Sequence, residues 1–306
     1  MMDTTMTQYD RDYSLYIGYG GASKREGILI KDLSIQFEVN KVINNQFKCS
    51  ESNIKIFNLT PQQAAALQEH QVAIRLLAGY KNLNGLPELC LGNATKVRTT
   101  KSGTDRVTEI TVGEAYSILN NTSVSGTVPA GQTIGDVIIK IAKDAGLTVG
   151  TFSGEAITTK VLWGYPLEGT TKQQLDEIAL SYRLHYTVNS NRIDVSDAGG
   201  FLAQSPSKAF VLNEDTGLLD IPYFESWNEG KKKEDKTRVE GVCIKALLNP
   251  AIVPGKLIHL KRPKAQEQEV RNGFYLVRSA KYTGESNGNS WHMELKCDDV
   301  VLGDYQ

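Results

Sequence analysis

Leu33–Val39 reads LSIQFEV, an alternation of apolar and polar side chains that predicts a strand with one buried face. Asn53–Phe57 repeats the pattern, with Ile54 and Ile56 on one side. Ahead of them, residues 1–29 read as a polar arm containing Gly18, Gly20 and Gly21, with a first strand starting around Leu29. Thr60, Pro61 and Gln63 have the spacing of an N-cap, a first helical position and a capping-box partner, so a short helix is expected over Pro61–His70. Val72–Leu77 then predicts a strand ending in a turn at Ala78–Gly79–Tyr80. Leu89–Gly92, Ala94–Thr99 and Arg106–Gly113 read as further strands separated by turns. Many short strands around one helix suggest a small barrel or sandwich.

The middle of the chain changes period. Thr133 precedes Ile134, Val137, Ile138, Ile141 and Ala145, an apolar stripe at helical spacing that Gly146 ends. A second helix is expected from Thr171, with Gln174 at the capping-box position and Leu175, Ile178, Ala179 and Tyr182 as its buried stripe. Each helix runs into a short strand, Leu147–Val149 and His185–Val188, and Asn189–Ser190–Asn191 turns the latter into Arg192–Val195. From Phe210 the chain is β again, with strands expected at Thr237–Ile244, Leu257–Leu260, Gly273–Tyr282 and Ser290–Lys296. The class is α+β, mainly β, with an α/β insert between two β regions.

Composition removes several functions. The 34 basic and 35 acidic side chains leave a formal net charge of −1, which offers no concentrated basic face for specific nucleic-acid binding. Cys49, Cys90, Cys243 and Cys297 are far apart and form no CxxC pair, so they read as reduced core residues. The N-terminal residues lack the basic-then-apolar order of a secretion signal, and no run of about eighteen apolar residues is long enough to insert in a membrane. Synthesis and folding in a cytoplasm are expected.

Catalytic patterns are absent: no GxSxG elbow, phosphate loop, HExxH or calcium loop occurs. The dispersed His70, His185, His259 and His292 predict no metal, and no cofactor is expected. Adjacent strand residues such as Asp298 and Asp299 point to opposite faces and cannot act together. Glu168, Asp176 and Glu177 invite a glycosidase reading, but Asp176 and Glu177 fall on the polar side of a helix rather than across a cleft. Lys231–Lys233 is surrounded by Glu229, Glu234 and Asp235 and reads as a solvated mixed-charge loop. Thirteen tyrosines suit strand cores and subunit interfaces equally.

The order of segments carries more. Ile54–Leu59 (IKIFNL), a capped helix, Val72–Tyr80 (VAIRLLAGY) and Cys90–Leu91–Gly92 resemble the first barrel of baseplate hub proteins from contractile bacteriophage tails. There Cys90 departs from the family's aromatic residue. Ala246–Pro250 (ALLNP), Val253–Ile258 (VPGKLI), Asn272–Val277 (NGFYLV) and Gly288–Trp291 (GNSW) resemble the second barrel, in the family's order over residues 30–300. The hub part of type VI secretion spike proteins shares that plan.

The resemblance implies a non-enzymatic structural subunit with two small tail-tube-like barrels: an arm over 1–29, a first barrel over 30–118, the insert over 119–200 and a second barrel over 201–306. It implies a homotrimer forming a pseudo-sixfold ring between a tail tube protein and a central spike protein, with other baseplate proteins around it and DNA passing only in transit. The protein would then belong to the virion tail. On that view Leu33, Ile35, Phe37, Val39, Phe274, Leu276 and Arg278 are expected to face the lumen or a neighbouring subunit. The rival expectations are a tail-associated cell-wall hydrolase and a peripheral receptor- or carbohydrate-binding module.

Overall fold

The computed structural model describes residues 10–18, 27–43, 51–67, 72–81, 85–197, 208–227, 239–261 and 270–300. The first β region contains β1 (Arg11–Gly18), β2 (Ile28–Ile30), β3 (Ile35–Val42), β4 (Glu51–Phe57), the short helix α1 (Pro61–Ala66), β5 (Ala73–Tyr80), β6 (Glu88–Ser102) and β7 (Asp105–Glu114). The insert holds α2 (Tyr116–Asn121), β8 (Ser123–Val128), α3 (Ile134–Ala145), β9 (Thr148–Phe152), β10 (Tyr165–Thr170), α4 (Thr171–Tyr182), β11 (Leu184–Asn189) and β12 (Arg192–Asp197). The chain returns through β13 (Phe210–Leu212), β14 (Tyr223–Trp227), β15 (Val239–Leu247), β16 (Leu257–Leu260), β17 (Gly273–Glu285) and β18 (Trp291–Val300).

Local signals explain the helices. The Thr60 hydroxyl accepts the Gln63 N–H while the Gln63 side chain accepts the Thr60 N–H, and Thr133 with Asp136 makes the same box on α3. Gly146 closes α3 at φ 80°, a left-handed angle that a side chain resists. The third box differs by one residue from expectation. Thr170 caps α4 with Gln173, because Thr171 is instead buried and donates its hydroxyl to the Thr122 carbonyl.

The β regions differ from the sequence reading in three places. The supposed arm contributes β1, paired with β5 along its whole length, with Tyr13, Leu15 and Ile17 in the core. Strand β5 runs through the turn expected at Ala78–Tyr80, where Ala78 and Tyr80 are buried. Leu89–Gly92 and Ala94–Thr99 form one strand, β6, whose register shifts at a bulge between Ala94 and Lys96. Gly20, Gly21, Cys49, His70 and Lys231–Lys233 lie outside the described residues.

Thirteen strands from both β regions form a single sheet, ordered β14-β15-β18-β17-β3-β4-β7-β6-β5-β1-β2, with β16 on β17 and β13 on β16. It is not closed into a barrel. The two regions join where β17 pairs antiparallel with β3, Tyr282 opposite Val39 and Gly284 opposite Phe37. One apolar core spans the join, taking Leu15, Ile54 and Leu76 from the first region and Ile244, Tyr282 and Trp291 from the second. The insert has its own core, with α3 and α4 packed against short sheets that include the antiparallel pair β8–β10 and the parallel pair β9–β12.

Candidate assembly surface

Strands with one buried face present the alternate residues outward. On β3 these are Gln36, Glu38 and Asn40, between the buried Ile35, Phe37 and Val39. Cross-strand register extends the outward row: Glu38 lies opposite Asn53 and Thr283, Lys55 opposite Glu109, and Glu109 opposite Arg98. All of these outward residues but Asn40 line a shallow groove of about 460 Å³ across β17, β3, β4, β7 and β6. A second groove of about 390 Å³, lined by Tyr223, Glu225, Lys245, Glu294 and Lys296, covers the other half of the same face.

Three carboxylates on this face are paired with lysines. Lys55 lies 3.0 Å from Glu109, Lys281 2.9 Å from Glu38, and Lys296 2.8 Å from Glu225. Each lysine holds its carboxylate below the ordinary range, mainly through the hydrogen bond for Glu38 and Glu109, whereas at Glu225 the Cys243 thiol contributes first and Lys296 second. Exposed pairs of this kind add little stability. They do leave acids and bases interleaved across the described part of the face.

The seven residues expected to face the lumen or a neighbouring subunit differ in exposure within the chain. Ile35, Phe37, Val39 and Leu276 lie in the chain's own core. Leu33 and Phe274 are half-buried, the latter stacked on His259 at 4.1 Å, and Arg278 is ion-paired with Asp298. Alternation marks which face is buried without saying what buries it, and here other strands of the same chain share the core with it. Asp298 and Asp299 engage different arginines, Arg278 and Arg271, in keeping with opposite faces. Asp176 is held by Lys172 at 2.6 Å and by the Tyr186 hydroxyl at 2.5 Å. Among the described residues no three His, Cys, Asp or Glu side chains converge as metal ligands.

The surface that sequence reasoning missed is apolar and sits at the margins of the sheet. Edge strand β14 and its approach expose Leu219, Ile221, Tyr223 and Phe224, with Ile221 62% exposed. At the opposite end Leu29 of β2 and Tyr16 of β1 are exposed side by side in register. In the insert, Leu162 and Trp163 project from the loop before β10, Trp163 being 84% exposed. The one available signal was the short apolar run Ile221–Phe224 (IPYF) directly before a densely charged stretch, an arrangement typical of guarded edges.

No protein-family model matches the chain, and no curated protein matches it in sequence. Solved structures do. A tail protein from Neisseria meningitidis MC58 superposes with a TM-score of 0.63 at 14% identity, covering 95% of this chain and 97% of that one. The 43 kDa tail protein of prophage MuSo2 from Shewanella oneidensis gives 0.63 at 8% identity, covering 95% and 98%. The chain has the fold of these phage tail proteins. A type VI secretion component, the E. coli c3393 protein, described as similar in structure to the T4 tail proteins gp27 and gp5, shares the fold at 0.58 with 11% identity, over 94% of this chain and 77% of that one. The tail-protein fold therefore includes the insert as well as both β regions, since the match spans nearly the whole chain.

Proposed function

We propose that this protein is a structural, non-enzymatic hub subunit of a phage tail baseplate, three copies of which form a closed pseudo-sixfold ring between the tail tube and the central spike. The observation that carries the reading is the junction of β17 with β3, which makes one sheet from β regions separated by the insert. Each region, 30–118 and 201–306, then supplies one tube-like unit of the ring, so that three chains present six. The interleaved acids and bases of the outward face suit a lumen through which DNA passes without being held. The tube protein, the spike protein and other baseplate proteins are the partners, and the virion tail is the location after synthesis in the host cytoplasm.

Light scattering on the purified chain, alone and with candidate spike protein, tests this. A mass near three times 33.7 kDa supports the hub. A monomer that persists with spike present overturns it. A peripheral carbohydrate-binding role is the second reading, favoured by the exposed Trp163, and binding of purified host glycans that Trp163→Ala abolishes would establish it.

A further inference from the structure

Two edges of the large sheet are unlike each other and complementary. Strand β5 pairs with β6 only as far as Asn93, while β6 continues to Ser102 alongside β7 alone. The outer side of residues 95–102 therefore has no strand partner among the described residues. At the far end of the path β14 pairs with β15 and, among the described residues, with no other strand. Each edge offers a row of backbone N–H and C=O groups to an added strand.

Side chains on the two edges match face by face. On the core side, Phe224 stands in a row with the buried Val242 and Cys297, yet is itself 46% exposed, an apolar core position left open. On the same side of the β6 edge, Val97 lies opposite the buried Ile110 and is half-buried against the core. On the outward side, β14 carries Glu225 and β6 carries Lys96 and Arg98. Continuing the sheet from one molecule to the next brings Phe224 toward Val97 and Glu225, which already holds Lys296, toward the two cations. Pairing β6 with its own copy in antiparallel register would instead oppose Lys96 to Arg98, which cross-strand like charges disfavour.

We propose that the occupant of each edge is a second copy of this chain, the β14 edge of one protomer adding to β6 residues 95–102 of the next. The inference rests on the ring reading above and specifies its contact. Because the two edges differ, the contact is head-to-tail and closes only through rotation, as a ring requires. Leu219, Ile221 and Tyr223 then lie at the same seam and are covered with Phe224.

Two full-length variants test it by native mass spectrometry. K96E/R98E blocks the β6 edge, and Y223S/F224S strips the β14 edge. Each alone should fall to one chain mass. Mixed in equal amounts they should form a species of two chains, since one intact β14 edge meets one intact β6 edge and the ring cannot proceed. Near-ultraviolet circular dichroism checks folding, and the single changes Arg98→Glu and Phe224→Ser replace any variant that fails it. Variants that keep the wild-type trimer overturn the edge contact and leave the hub reading standing, as do monomeric variants whose mixture stays monomeric. A wild-type chain that is itself monomeric with spike present overturns both.

Discussion

Lys41 Nζ lies 3.5 Å from Glu114 Oε1, with both side chains almost completely buried where β3 and β7 enter the main core. Neither Glu114 oxygen has a hydrogen-bond partner, and Ser52 Oγ beside them also lacks one. Burial raises the Glu114 carboxyl above the usual carboxylate range, and the attraction of Lys41 offsets this only in part. Such a pair is costly to break and cheap to replace whole. Lys41→Met or Glu114→Leu alone should destabilise by about 3 kcal/mol, and the double change should be close to neutral. Urea melts of the four proteins would measure the cycle. Because the native carboxyl binds its proton more tightly than the unfolded one, the stability it lends is full in acid and declines as pH rises through the native value. Glu114→Gln should flatten that decline.

Gly284 sits across from Phe37 at the join of the two β regions, and a Cβ built on it would lie 2.2 Å from Phe37 Cζ. The Phe37 ring packs edge-on against Trp291 at 5.4 Å, so it has little room to withdraw. Gly284→Ala should cost about 1–3 kcal/mol through overpacking. Phe37→Leu, which removes the far edge of the ring, should restore part of that loss when combined with it. Thermal melts of the single and double variants decide the point, and a loss that Phe37→Leu leaves unchanged would place the strain in the backbone.

Signals confined to a few neighbouring residues were legible in the sequence. Thr60 with Gln63 and Thr133 with its apolar stripe mark helices that the structure contains. The box on α4 was ambiguous because two threonines precede two glutamines, and a distant carbonyl, that of Thr122, selects between them. Strand β1 alternates Tyr13, Leu15 and Ile17 inward, but flanking Arg11, Asp12 and Tyr16 disguise the period. The pairing of β17 with β3 joins positions more than two hundred residues apart, which periodicity cannot encode. The interface candidates share that ambiguity. A buried face at Ile35, Phe37 and Val39 looks alike whether a neighbour or the chain itself covers it.

Thr133 holds α3 by accepting the Asp136 N–H, and Asp136 in turn accepts from the Thr133 backbone and hydroxyl. These bonds keep the Asp136 carboxyl below the usual range, the Thr133 hydroxyl contributing most. Thr133→Ala should destabilise the insert by about 1 kcal/mol. Hydrogen exchange should show the loss in α3 and its neighbours while β3, β4 and β17 keep their protection, because the insert has a separate core. Equal loss across both cores would mean that the insert and the sheet unfold as one unit.

His185 on β11 is buried, and desolvation, with a smaller contribution from the Arg278 cation on β17, lowers its pKa to about 4. The unfolded chain returns the imidazole to its ordinary value of 6.5. The native state therefore binds fewer protons between those values. The stability that neutral His185 contributes is complete above 6.5 and is lost as pH falls toward 4. His185→Phe cannot be protonated, so its stability should fall less steeply through that window than the wild type. Arg278→Gln should shift the His185 titration upward by removing the repulsion, a change that proton NMR of the imidazole would report directly. An unmoved titration would mean that Arg278 is too well screened by Asp298 to act on the insert.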